Sequence, residues 1–314
     1  MAGQPALAHG GADQRDTGFR QELTSGEREL QLAHEPAAGQ RELQFIQHLM
    51  DRQFWDDALF AIRSYESGQS DLHSRSAGLQ DSLNFWAGWA AYHRQQLPRA
   101  INRLGLVSAD HPYHAQAGFY RTYLMTYLAV DYHDASLLQE AGVSLEAASY
   151  DEDIHRELRD FQLAGMALIQ RDFNSYSEYS RAFSGRYFAM AQQQQNLNGY
   201  MDRLLAADRK SPFAAAAMSA VIPGSGKIYA GRRGSGISSF LQVAVFGGIF
   251  AESYLRSGPK HARTIVSGSA FGLFYIANIW GSAVAVRITK EEIYEEINQH
   301  ILFDLHIPLR SVFR

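Results

Sequence analysis

Residues 264–286 read TIVSGSAFGLFYIANIWGSAVAV, 23 residues without a charge. A helix needs about 20 apolar residues to cross the hydrocarbon core of a bilayer, and this run meets that length. Upstream, GSGISSFLQVAVFGGIFA (234–251) gives 18 more uncharged residues, and apolar character continues past Glu252 to Leu255. The polar segment between them, RSGPKHAR (256–263), carries Gly258–Pro259 and reads as a turn. The pair predicts a two-helix transmembrane hairpin; its competitor is a hairpin buried in a soluble core. Small residues recur at four-residue spacing: Ala244/Gly248, Gly247/Ala251, Gly268/Gly272 and Ala277/Gly281. Helices approach closely in lipid at such positions. Gly248, Gly268, Gly272 and Gly281 are therefore expected to carry helix–helix packing, with oligomerisation through the hairpin as a further expectation.

The preceding stretch, SPFAAAAMSAVIPGSGKIYAGRRGSG (211–236), is too broken for a full span. Residues 212–222 read as an apolar helix stopped by Pro223, which lacks an N–H. Gly224 and Gly226 permit a sharp turn, and Lys227, Arg232 and Arg233 suit a headgroup layer. The expected element is an interfacial or re-entrant helix, with Tyr229 at the membrane surface. Beyond the hairpin, TKEEIYEEINQHILFDL (289–305) predicts a separate amphipathic helix. Thr289 and Glu292 are placed for a capping box, and Ile293, Ile297 and Ile301 share a face. Packing on the protein's own helices is the preferred role for that face, a partner helix the other.

From about Glu42 to Arg209 apolar residues recur at three- and four-residue steps, the period of amphipathic helices. Helices are expected near 40–52, 55–68, 78–94, 97–108, 112–129, 132–142, 151–171, 173–184 and 186–208. They fall into pairs. In LNFWAGWAAYHRQQLPRAINRL (83–104), Gly88 sits where a first helix needs a small residue, and Ala100 where the second crosses it. Ala58 and Ala135 are the corresponding positions of neighbouring pairs, at spacings of 42 and 35 residues. A fourth unit is expected from Leu163–Gly165–Leu168. Stacked pairs bury faces that one pair alone leaves open. Trp55, Trp86 and Trp89 are expected in the core. Residues 1–40 are poor in apolar side chains and read as disordered, and their opening, MAGQPALAHGGADQRD, lacks the basic and apolar regions of a signal peptide.

The string IPGSGKIYAGRRGSGISSFL (222–241) resembles the motif of small bacterial hairpin membrane domains related to the TM2 family: Pro-Gly-x-Gly, Tyr-x-Gly, then a Gly before the first span. The matching residues are Pro223, Gly224, Gly226, Tyr229, Gly231 and Gly236. With the helical pairs, residues 42–290 resemble bacterial envelope proteins in which tetratricopeptide-like repeats precede such a hairpin. The resemblance implies an inner-membrane protein with an exported helical domain, and it implies no catalytic activity.

The chain carries a net charge of −4, with −8 in residues 1–210 and +4 in residues 211–314. That balance gives no electrostatic footprint for nucleic acid. Without cysteine, thiol nucleophiles, Cys-ligated zinc and iron–sulfur clusters are excluded. PGSGK is not a P-loop, because Val221 stands where the first Gly belongs and Ile228 where the Mg²⁺-binding hydroxyl belongs. Asp110, His111, His114, His133 and Asp134 read as turn residues rather than a metal set, and Asp151–Asp153 as a helix N-terminus. No cofactor, metal or catalytic residue is expected.

The expected architecture is thus all-α: residues 1–40 disordered, 41–210 a tetratricopeptide-like helical domain, 211–288 the membrane hairpin domain, and 289–314 an amphipathic helix and tail. The expected function is a membrane-anchored adaptor or assembly factor of the bacterial envelope, bound to lipid by its hairpin and to a protein partner by its helices. Alternatives are a subunit of a larger transport or insertion complex and, without motif support, an enzyme acting on lipid or peptidoglycan. Five basic residues flank the hairpin against three in its turn, which favours cytoplasmic flanks; the family resemblance favours a periplasmic helical domain, and the latter is adopted.

Overall fold

A computed structural model describes residues 38–68 and 77–313. Residues 1–37 of the segment read as disordered lie outside it, while residues 38–40 open the first helix. Among the described residues there are thirteen α-helices and no strand. They are α1 (Ala38–Asp51), α2 (Trp55–Gly68), α3 (Ala77–His93), α4 (Leu97–Leu104), α5 (His114–Asp131), α6 (Ala135–Ala147), α7 (Asp153–Gln170), α8 (Phe173–Tyr179), α9 (Phe188–Asp208), α10 (Pro212–Val221), α11 (Ser225–Tyr229), α12 (Arg233–Ser257) and α13 (Ala262–Val312). The fold is an array of helical pairs followed by a hairpin of two long apolar helices. The chain divides into two compact units between Tyr113 and His114, inside the helical region.

In the first unit, α1 to α4 enclose Ile46, Ala58, Leu59, Ile62 and Leu83. Trp55 stacks on His93 with ring centroids 4.1 Å apart, and Trp86 and Trp89 lie half-buried beside this core. Gly88 is pressed against Leu104, where a Cβ would stand 2.7 Å from its Cγ, and Ala100 is fully buried beneath the crossing.

The pairs α1/α2, α3/α4, α5/α6 and α7/α8 close with one turn geometry. Gln53, Gln95, His133 and Arg171 take φ between 56° and 64°. In each case the next residue returns its N–H to a carbonyl five positions back: Phe54 to Leu49, Gln96 to Ala91, Asp134 to Ala129 and Asp172 to Ala167, all at 2.9 Å. These are helix ends with a left-handed residue that satisfies orphan carbonyls. Five residues after the left-handed position stand Ala58, Ala100, Leu138 and Tyr176, all buried. Leu138 is therefore the third packing residue, and the assignment of Ala135 is corrected: Ala135 opens α6 and is exposed. Alanine-to-alanine spacing misplaced the register by three residues, because the third pair fills the position with leucine.

The second unit is completed by a helix from the far end of the chain. Sequence analysis places a helix boundary at Thr289, but α13 runs unbroken for 51 residues, about 76 Å at 1.5 Å per residue. The capping box does not form, because no Gly or Pro interrupts residues 286–289. Thr289 Oγ1 and Glu292 Oε1 instead accept from Arg232, at 3.0 and 2.6 Å. Ile297, Ile301 and Leu305 are fully buried against α5, α7 and α9. Gly165 faces this helix, with a hypothetical Cβ 2.7 Å from Leu305 Cδ2. Arg171 binds the Tyr294 carbonyl and Asn298 Oδ1 and lies over the Tyr294 ring. Asp304, buried, accepts from Asn196 and from Tyr200 at 2.8 Å. Another buried carboxylate, Glu157, accepts from Ser184 and Gln194 and fixes the loop before α9.

The apolar helices α12 and α13 form the hairpin. Gly258 turns the chain at φ 78°, and His261 Nδ1 caps α13 by accepting from Arg263 N–H. Thr264 Oγ1 donates to the Ser253 carbonyl across the turn. Packing pairs a glycine with a ring in both directions, Gly268 against Phe250 and Gly247 against Phe271. Gly248 and Gly272, expected at this seam, touch nothing across it, and Gly281 meets the Lys227 side chain. The four-residue spacing placed Gly247 and Gly268 at the seam and misplaced Gly248 and Gly272.

Candidate functional site

The motif residues fold into a short helix–turn–helix element in which α10 packs on α13, and α11 on both α12 and α13. Ser211 starts it, its Oγ accepting from Ala214 N–H, with Pro212 at the first helical position. Helix α10 spans only 10 residues, about 15 Å or half a hydrocarbon core. Ile222 is forced extended ahead of Pro223, as residues before proline are, and the helix ends. The chain then returns through α11 to the level where it started. The return is fixed by two contacts: Ser211 N–H donates to Tyr229 Oη at 3.2 Å, and Lys210 Nζ to the Ala230 carbonyl at 3.5 Å.

The turn glycines act by two mechanisms. Gly224 has φ 84°, and a Cβ there would stand 2.1 Å from the Gly236 carbonyl oxygen. Gly226 is helical; its requirement is close approach alone, since a Cβ would stand 2.0 Å from the Ala215 carbonyl oxygen. Of the two turn glycines, Gly224 alone takes a left-handed angle. Gly231 turns the chain into α12 at φ 99°, and Gly236 leaves room for Ile228 and the Gly224 carbonyl. Tyr229 ties the end of the element to its start. Its ring packs half-buried on Ala215, Ala230, Ala285 and Val286, with its hydroxyl bonded to the backbone.

Backbone groups placed in hydrocarbon must find partners within the protein. The tip of this turn finds them on α13 and on α10. Gly224 N–H donates to Asn278 Oδ1 at 3.0 Å, and Gly226 N–H to Ser219 Oγ at 2.9 Å. Ser219 Oγ lies 2.7 Å from Ser282 Oγ, which also bonds the Asn278 carbonyl. Ser219, Asn278 and Ser282 are all buried. None of these three stands out in the sequence as a motif residue. Asn278 and Ser282, one turn apart on one face of an otherwise apolar run, were the available signal.

Lys227 is half-buried beside this cluster. Its Nζ donates to Ser239 Oγ at 2.6 Å, its Cε passes 3.6 Å from the Cβ position of Gly281, and no ion pair joins it among the described residues. At the open end of the element, Arg232 pairs with Glu292, and Lys290 with Asp208 at 3.3 Å. This polar belt marks where α13 leaves its apolar surroundings.

No group of three His, Asp or Glu side chains among the described residues is placed to hold a metal ion. His111 bonds Ser82 Oγ and accepts from Tyr113 N–H; Asp134 caps α6 and Asp172 caps α8. A surface cavity of about 720 Å³ opens between the α5–α6 turn and α13, with Asp131, Asp134, Glu291 and Glu295 in its walls. No protein-family model, curated protein or solved structure matches the chain.

Proposed function

We propose that this chain is a membrane-anchored adaptor or assembly factor of the bacterial envelope. The hairpin and the re-entrant element hold it in the inner membrane, and the helical pairs present a surface to a protein partner. One observation carries the reading: a single helix, α13, is an exposed apolar rod in its first half and core of the helical array in its second. The windows of α12 and α13 that are apolar enough to cross a bilayer are only 17% and 22% buried. Leu273 and Trp280 are 70% and 73% exposed. A soluble protein rarely exposes so large a contiguous apolar surface, so lipid is its fitting solvent.

The four matching turns support the tetratricopeptide-like reading of the pairs, since arrays of such pairs bind extended partners on their surfaces. The acidic cavity beside α13 supplies a charged surface on the array, suited to a basic segment of a partner. The re-entrant element supports the resemblance to the TM2-like motif, each of whose glycines has a structural task. The array belongs, on this proposal, to the periplasmic side.

Affinity purification from a detergent extract tests the reading. One or more proteins recovered in stoichiometric amount are expected, while turnover of lipid or peptidoglycan by the purified chain would defeat it. Protease digestion of residues 42–210 in spheroplasts, with the intact inner membrane as barrier, tests the side; protection there would place the array in the cytoplasm.

A further inference from the structure

Helix α12 presents three faces. One is turned inward: Ser239 and Val243 are buried, and Phe246 and Phe250 stack on Phe274 and Phe271 of α13. A second is wholly apolar and exposed: Ile237, Leu241, Ala244, Gly248, Ala251 and Leu255. The third is exposed and carries polar groups along its length: Ser238, Gln242, Val245, Ile249, Glu252 and Arg256. Both exposed faces share spacings that alternate four and three, the 3.5-residue period of helices that wind around one another; the polar groups distinguish the third.

Gln242 lies nine residues beyond Arg233 at the start of the helix, about 14 Å at 1.5 Å per residue. That depth is near the middle of a hydrocarbon core about 30 Å thick. Its carboxamide makes no hydrogen bond to a described residue. A bare carboxamide at that depth is costly and is satisfied by a neighbouring helix. The second face suits lipid; the third does not.

We propose that this third face of α12 is the contact between two copies of the chain in the membrane. Two copies inserted with one topology meet with equal residues at equal depth. A carboxamide both donates and accepts, so Gln242 of each copy satisfies the other; the Ser238 hydroxyls do the same. At the far end, Glu252 and Arg256 form a pair at 3.1 Å within one helix. That pairing neutralises each charge within its own helix, so the like residues that face each other across a two-fold axis meet as already paired groups. The face is self-complementary in hydrogen bonding at Ser238 and Gln242, and a second copy is the partner that brings matching groups to the same depths.

The inference rests on the membrane reading, and the experiment separates the two. The chain has no cysteine, so single cysteines report cleanly. Ser238→Cys, Val245→Cys and Ile249→Cys stand on the polar face, Ala244→Cys and Ala251→Cys on the apolar one; all five sites are exposed. Full-length variants in native membranes are oxidised with copper–phenanthroline, and part of each preparation is extracted with carbonate. The expected result is retention in the membrane with disulfide-linked dimers at the three polar-face sites and few at the other two. Gln242→Leu should lower the dimer association constant about threefold to tenfold in fluorescence measurements on proteoliposomes. Release by carbonate would overturn the membrane reading and the dimer together. Retention without cross-links, equal cross-linking on both faces, or unchanged association of Gln242→Leu would overturn the dimer alone.

Discussion

A Cβ at residue 226 would stand 2.0 Å from a backbone oxygen of α10, so Gly226→Ala must push two helices apart. Loss of folded yield in detergent is the expected outcome, with at least the 1–3 kcal/mol typical of forced local strain. Gly224→Ala adds a left-handed angle to a similar clash and should behave alike. Gly248→Ala, whose Cβ meets nothing within 4 Å, should leave the melting temperature unchanged; a drop matching that of Gly226→Ala would refute the assigned packing. His155 allows a pH test. Burial among Phe119, Tyr150 and Phe313 pushes its pKa below the usual histidine value, Glu152 opposing. The unfolded chain then binds more protons than the folded one below about pH 6.5. This stabilisation is complete above the unfolded pKa and is lost as pH falls through the folded one. His155→Phe should therefore flatten the decline in thermal midpoint between pH 7 and 5. At this scale the motif glycines were legible, because their task is steric and sequence displays the missing side chain. Ala135 and Gly248 were misplaced because helix rotation and pair register depend on which bulky neighbour fills the facing gap.

Among the elements, α13 diverges most from its reading. Propensity and capping signals at Thr289 and Glu292 are local, and worth about 1 kcal/mol. Burial of Ile297, Ile301 and Leu305 contributes about 1.5–3 kcal/mol for each side chain and requires the helix to continue in its existing direction. Leu305→Ala is expected to destabilise the second unit by about 2–5 kcal/mol, as large-to-small core substitutions do. Urea unfolding followed by near-UV circular dichroism would measure it. Deleting residues 290–314 should leave α5–α9 without a cooperative transition. For the same reason an isolated 42–210 fragment is expected to keep a stable first unit and lose the second. A cooperative melt of α5–α9 in that fragment would contradict the packing described. The pairing of helices was readable from period and small residues, whereas the late return of α13 joins segments more than a hundred residues apart and leaves no local trace.

For the chain as a whole, contacts of α13 with α5, α7 and α9 place residues 114–210 and 290–312 on the same side of any membrane the hairpin crosses. That excludes α10 as a third span, in agreement with its 10-residue length. Full-length protein should resist carbonate extraction and retain its helical array on whichever face the protease test identifies. Recovery in the soluble fraction without detergent would refute the anchoring. Inserting Gly-Gly after Ile288 should leave extraction behaviour unchanged while freeing the array from the hairpin, detectable as faster proteolysis between residues 286 and 292.

The return of α13 also sets a schedule for biosynthesis. Helices α5 to α9 are translated first, and the strip of apolar surface that receives Ile297, Ile301 and Leu305 stays uncovered while the membrane segment is made. At about 5–20 residues per second, the roughly 90 residues from Arg209 to Leu302 take on the order of 5–20 s. With the hairpin in a bilayer, as proposed, the nascent chain is half-finished on one side of it during that interval, and the insertion machinery must release the hairpin before the array can close. Slowed insertion would therefore appear as aggregation of the soluble part.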